Sequence, residues 1–192
     1  MKPGTRALGV AESYDGVDDG AGRSTLCGAL VRADRVADDF VFGTCRVGGT
    51  DATDAVASLV STLDREDVRY LFVSGIAPAW FNVLDLRRLH EACDRPVLSI
   101  SFEASPGLDA ALREQFDGDA LDRRLDTYRA QPPRRRLAVN DETVYLRAVG
   151  LDADDAEDVV RAFTPEGGRP EPLRVARLAA RAARRLRADG DV

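Results

Sequence analysis

The sequence predicts an α/β fold in which a mixed sheet is flanked by helices. Two patterns carry this reading: opening apolar runs joined as hairpins, then amphipathic helical stretches alternating with short buried strands after residue 50. Size is the third observation. With 192 residues, 44% of them hydrophobic, the chain can bury one full core and would be cramped as two, so residues 1–192 read as a single domain.

The elements follow in order. Arg6 to Ala11 is a short, largely apolar run, the reading of a buried first strand. Ser13 to Arg23 is rich in Asp and Gly and reads as an exposed, mobile loop. Thr25 to Val31 and Val36 to Val47 form a hairpin around Ala33-Asp34. Gly48-Gly49 ends that pattern and Thr50 is a plausible N-cap. Ala52, Val56, Leu59, Val60 and Leu63 then recur at helical spacing. Val68 to Ser74 is a buried strand, Val83 to Cys93 is helical in period, and Arg95 to Ser101 is another strand, so this section of sheet is parallel. Leu108 to Tyr128 reads as helix, Gln131 to Arg136 as an irregular basic link, and Thr143 to Ala148 as a late strand. Asp152 opens a helix to Phe163, and Pro172 to Ala188 forms a last, arginine-rich helix. Three hairpin strands followed by helix, strand, helix, strand, helix is the order expected of a ribonuclease H-like sheet.

Composition narrows the setting. No apolar run approaches the ~18 residues of a membrane span and the first residues do not form a signal peptide, so a cytoplasmic protein is expected. Cys27, Cys45 and Cys93 are widely spaced without a C-x-x-C pair, the pattern of buried hydrophobes rather than of disulfides or zinc ligands. Lys2 is the lone lysine among 27 basic residues, and 33 acids give a net charge of −6. Such an acidic surface suits a salt-rich cytoplasm, as in a halophilic archaeon, where screening acts over about 3 Å at 1 M salt.

Local motifs are more specific. Val73-Ser74-Gly75-Ile76-Ala77, the run from Phe81 to Leu89, Pro96-Val97-Leu98, Gly49-Thr50-Asp51-Ala52-Thr53 and the run from Arg169 to Ala176 together resemble an archaeal family called endonuclease dU. Tyr70 to Leu98 and the C-terminal segment are also similar to endonuclease V, which cuts nucleic acid beside deaminated bases. The resemblance implies a ribonuclease H-like fold and Mg²⁺-dependent phosphodiester cleavage, with Mn²⁺ as a possible substitute. It also implies a DNA partner carrying deaminated bases, uracil in particular, and a role in repair.

The resemblance directs attention to carboxylates. Where endonuclease V has a metal-binding aspartate at the end of the first strand, this chain has Ala11-Glu12, and Glu12 is the candidate ligand. The second acid matches Asp51, and the third falls on Ser74. Asp15 is a further candidate metal ligand, with Asp85 and Glu103 as other acids able to compensate. Each has a plainer reading: Asp51 as an acid favoured by the helix dipole, Glu12 as a solvated loop acid, Asn82 and Asp85 as helix caps. For nucleic acid, Arg174, Arg177, Arg181 and Arg185 fall within about 80° on the last helix, opposite Val175, Ala179, Ala182 and Leu186. This stripe is a candidate phosphate contact or a solvated face, and Arg134, Arg135 and Arg136 form a second candidate. Trp80, Phe81 and Asn82 follow the Gly75 to Pro78 loop, where the aromatic rings could stack on a displaced base or pack in the core.

Overall fold

The computed structural model describes residues 1–14 and 22–189. The central part of the Asp- and Gly-rich loop, with the candidate ligand Asp15, lies outside the described residues.

Three antiparallel strands open the chain: β1 (Arg6–Ser13), β2 (Arg23–Arg32) and β3 (Ala37–Arg46). Helix α1 (Ala52–Leu63) returns the chain to β4 (Val68–Ser74), which lies parallel to β1. A single turn, α2 (Pro78–Phe81), and helix α3 (Leu86–Cys93) lead to β5 (Val97–Ser101), parallel to β4. Helices α4 (Asp109–Gln115) and α5 (Gly118–Arg129) precede a hairpin of β6 (Arg135–Val139) and β7 (Glu142–Val149). Two helices close the fold, α6 (Ala153–Ala162) and α7 (Glu171–Asp189). The sheet order is β3-β2-β1-β4-β5-β7-β6, with β7 antiparallel to β5, a ribonuclease H-like mixed sheet flanked by helices.

Strand alternation sorts the core onto the two faces of this sheet. Leu8, Val10, Leu71 and Val73 pack with Val56 and Leu59 of α1 and Leu86 and Leu89 of α3. Ala7, Phe72, Leu98 and Ile100 meet Val159, Val160 and Phe163 on the other face, where the Phe72 and Phe163 rings stand 5.6 Å apart at 66°. The three cysteines are buried and free. Among the described residues no helix is long and apolar enough to cross a membrane.

Several local expectations are corrected. Strand β1 runs two residues past Ala11, so Glu12 belongs to the strand rather than to a solvated loop. Asp51, not Thr50, occupies the N-cap position of α1. The stretch expected as one helix from Leu108 to Tyr128 breaks into α4 and α5 between Phe116 and Gly118, where Gly118 takes a φ of 51°. Strand β6 begins inside the basic link, at Arg135, and its tight turn to β7 uses Asn140 at a φ of 52°. On α7 the buried residues include Pro172, Leu173, Ala176 and Ala180, whereas Leu186, assigned to the apolar face from spacing, is 75% exposed. The reason is rotation of the face: at roughly 100° per residue Leu186 lies about 80–140° around the helix from Leu173, Ala176 and Ala180, and the helix is seated at its start, where a Cβ on Gly9 of β1 would sit 2.2 Å from the carbonyl carbon of Pro172.

Candidate functional site

The parallel strands β1, β4 and β5 end at one edge of the sheet, where the start of β2 and the end of β3 also lie. Glu12 stands at this edge. Its neighbours fix the direction of its side chain: Ala11 packs with Ala29, Val31 and Ala176 beneath α7, whereas Val10, on the same face as Glu12, packs in the cluster that includes α1. Glu12 is therefore directed to the face on which α1 begins, at Asp51. Ser24 Oγ, wholly buried, donates to Glu12 Oε2 at 2.7 Å. Ser24 is also the register partner of Cys45 on β3.

Asp51 is held by the main chain and by one buried amide. Arg46 N donates to both of its oxygens at 3.0 and 3.2 Å, and Asn82 Nδ2 donates to Oδ1 at 2.7 Å. The same Asn82 accepts from Ala52 N at 2.9 Å and donates to Arg46 O at 2.9 Å. Asn82 thus caps α1 from a distant segment, while Asp51 makes no side-chain cap to its own helix. Asn82 is completely buried and its side chain is spent on Asp51, Ala52 and Arg46, so in this structure it braces Asp51 instead of presenting itself to nucleic acid, the role expected of it from sequence. Burial, and then the Asp51 and Glu12 charges, push the Cys45 thiol up to about 12.

A strained turn borders the pair. Ala79, Trp80 and Phe81 have φ of 48°, 56° and 59°, a left-handed run in which each non-glycine residue costs roughly 1–2 kcal/mol. Trp80 packs against Phe81 and Phe116 with ring centroids 5.9 and 5.2 Å apart, and Phe81 meets Phe116 at 6.0 Å. Arg124 of α5, buried, clamps this turn to the β3–α1 loop. Its Nε donates to Phe81 O at 3.2 Å, its Nη2 donates to Gly48 O and to Gly49 O at 3.1 Å, and its guanidinium lies 3.9 Å over the Phe116 ring. Sequence reasoning missed Arg124, because nothing in its surroundings sets it apart from the other helical arginines.

The arginine stripe shares a groove with Glu12. A groove of about 550 Å³ is lined by Glu12, Ser13 and Tyr14 on one side and by Arg177, Arg181, Arg184 and Arg185 on the other. Burial, then the Glu12 charge, push the Tyr14 phenol up, while a hydrogen bond with the Trp80 backbone acts the other way. Arg169, outside the groove lining, stacks 3.7 Å over the Phe102 ring, and burial followed by the charges of Arg177 and Arg181 lowers its pKa. Arg174 stands apart, committed to a bidentate pair with Glu171 at 2.7 and 2.6 Å. Asp85 caps α3 by accepting from Arg87 N and Arg88 N.

The profile of the endonuclease dU family matches residues 3–184. The chain belongs to the endonuclease dU family. A UPF0215 protein of Pyrobaculum aerophilum is 32% identical over 181 residues, 93% of this chain and 94% of that protein. The crystal structure of a protein of unknown function from Archaeoglobus fulgidus superposes with a TM-score of 0.80 at 25% identity, covering 93% and 97% of the two chains. The fold is also that of endonuclease V. Human ENDOV gives a TM-score of 0.65 at 15% identity, covering 96% and 86%. Endonuclease V of Ciona intestinalis, in complex with a 24mer DNA containing an inosine, gives 0.61 at 9%, covering 94% and 86%.

Within this endonuclease dU chain the donor set at the sheet edge is two carboxylates, Glu12 and Asp51, with the Ser13 and Ser24 hydroxyls nearby. Among the described residues no group of three His, Cys, Asp or Glu side chains gathers to hold a metal. A protein-only cage is thus not formed by these residues. Two carboxylates do suit Mg²⁺, which keeps several waters and is commonly held by one or two carboxylates together with substrate phosphate.

Proposed function

We propose that this chain is a Mg²⁺-dependent endonuclease that cuts DNA at deaminated bases, uracil among them, in repair. The observation that carries the reading is the meeting of Glu12 with an arginine-lined groove at the sheet edge. An acid facing a cationic wall fits an enzyme that must hold a phosphate backbone against a metal. Support comes from the family itself and from the shared fold of an endonuclease V bound to inosine-containing DNA.

Glu12 and Asp51 would hold Mg²⁺, or Mn²⁺ in its place. When bound, the ion neutralises charge on the scissile phosphate and activates water. The chain's own residues do the rest. Ser24 orients Glu12, and Arg46 N with Asn82 orients Asp51. Arg177, Arg181 and Arg185 contact flanking phosphates, which fixes the strand in the groove without reading its sequence. Trp80, half-buried beside Tyr14, is placed to lean on a displaced base.

The test is cleavage of matched oligonucleotides containing uracil, hypoxanthine or no modified base, at high KCl, with and without Mg²⁺. Cutting confined to the modified strands and to Mg²⁺ supports the proposal. Binding without cutting would favour a non-catalytic relative, the reading to which Ala11 and Ser74 at two acid positions point.

A further inference from the structure

A second cavity, of about 370 Å³, opens at the same sheet edge beyond Gly75, between β5, β7 and α5. Its chemistry differs from that of the α7 groove. Two guanidiniums line it, each against a tyrosine: Arg134 lies 3.9 Å over the Tyr145 ring, and Arg147 is 5.4 Å from the Tyr128 centroid. Both are anchored by neutral acceptors. Arg134 donates to Ser105 O at 3.0 Å, to Ser101 Oγ at 3.1 Å and to Glu103 O; Arg147 donates to Pro132 O and, at 3.5 Å, to the Tyr128 hydroxyl.

Neither guanidinium has an ion pair with a carboxylate among the described residues. Glu103 lines the cavity, yet its contact with Arg134 is through its main-chain oxygen and its side chain is exposed. Burial lowers the pKa of Arg147; Tyr128 opposes this and the Arg134 charge adds to it. Two partly desolvated like charges side by side are costly unless an anion joins them. The Nε of each makes no bond within the described protein, and a guanidinium fork matches phosphate oxygens. A neutral base alone would leave both charges uncompensated. A lone phosphate would leave the tyrosine walls and most of the volume unused, since cavities of roughly 300–1,000 Å³ hold whole small molecules.

We propose that this cavity binds a phosphate monoester carried on a nucleoside, either a free mononucleotide or the phosphorylated end of a strand. Arg134 and Arg147 hold the phosphate, and the tyrosine rings pack against the nucleoside.

The test is calorimetry on the full chain with deoxyuridine 5′-monophosphate, deoxyuridine and inorganic phosphate, without Mg²⁺. The monophosphate should bind at least roughly tenfold more tightly than the nucleoside, about 1.4 kcal/mol. Arg147→Gln should abolish that difference, and Arg134→Lys, which keeps the charge and loses the fork, should reduce it. Equal binding of nucleoside and monophosphate, or an undiminished preference in both variants, overturns the proposal. Should Arg147→Gln not fold, Arg134→Lys and the ligand-dependent rise in the Tm of the unaltered protein decide the matter. Competition separates the two sources: a 5′-phosphorylated oligonucleotide that displaces the monophosphate where its 5′-hydroxyl counterpart does not assigns the strand end. No displacement by either assigns the free mononucleotide. Because nothing in the assay depends on cutting, failure here and failure of the endonuclease proposal are separate results.

Discussion

Asn82 Nδ2 donates to Asp51 Oδ1 at 2.7 Å from a side chain that is wholly buried. Replacing it with alanine would leave Ala52 N, Arg46 O and part of the Asp51 carboxylate without partners. The loss should be about 2–3 kcal/mol, since each unsatisfied buried group costs roughly 1–3 kcal/mol. Urea unfolding checks that figure. Cleavage by the folded Asn82→Ala fraction should fall as well, because Asp51 loses its support. Unchanged stability with full cutting would show that Asp51 is positioned by Arg46 N alone.

Glu12→Gln and Asp51→Asn should each abolish Mg²⁺-dependent cutting while the folded protein still binds nucleic acid. Their stabilities should differ. Asp51→Asn weakens two charge-assisted contacts and should cost about 1 kcal/mol, whereas Glu12→Gln retains an acceptor for Ser24 and should stay within about 0.5 kcal/mol of the parent. Full activity in either variant removes that residue from the site.

Arg177 and Arg181 face the groove without an ion pair among the described residues. Their joint replacement by Gln should weaken binding to all sequences and lower the slope of log affinity against log salt by about 2, with the Tm nearly unchanged. An unaltered slope would make the stripe a solvated face. Arg174→Gln provides the contrast: it breaks the Glu171 pair and should alter binding little.

Gly48 has a φ of 65°, and a Cβ there would lie 2.7 Å from Trp80 Cε3. Gly48→Ala should therefore destabilise by about 1–3 kcal/mol, part from the left-handed backbone and part from the clash. In a Trp80→Ala background the clash disappears and about 1 kcal/mol of backbone strain should remain. Additive costs would mean that the indole swings aside freely. If Trp80 also contacts a displaced base, Trp80→Ala should reduce cleavage of damaged DNA by more than its loss of stability explains.

Burial holds the thiols of Cys27 and Cys45 up at about 12, above the ordinary 9.0. Below pH 9 both are neutral in the folded and unfolded chain, so their contribution is fully present. As pH rises from 9 towards 12 the unfolded chain releases protons that the folded one retains, and stability falls. Thermal unfolding at pH 8 and pH 10.5 measures this, and Cys27→Ala should reduce the drop. Iodoacetamide at pH 8 should label these sulfurs only after denaturation.

Much of the frame was legible from the chain itself. Short apolar runs and glycine breaks mark β1 to β5, and the spacing of Ala52, Val56, Leu59 and Leu63 marks α1, because these signals arise from neighbours close along the chain. Asp51 stands out through the resemblance to endonuclease V, whose second acid it matches; its place at a helix start supports the plainer reading equally well. Strand β6 was missed because a short edge strand of Arg135, Arg136 and Leu137 carries little apolar alternation.

The site itself depends on contacts between distant segments. Which face Glu12 takes was decided by two further residues of β1 and the seating of α7 on Gly9, not by local composition. Asn82 meets Asp51 across 31 residues and Arg124 meets Gly48 across 76. Pairings of that kind are set by sheet order and by how the crossover helices pack, so period and propensity carry no record of them. The sequence by itself determined most of the elements and the acidic balance, and its resemblance to endonuclease V singled out the candidate carboxylates. Only the tertiary structure decided that Asn82 is a buried brace and that Arg177 and Arg181 share a groove with Glu12. It alone also decided that Arg134 and Arg147 face one cavity with no ion pair to a carboxylate among the described residues, because the neighbours of a side chain are assigned by packing between elements far apart in the chain.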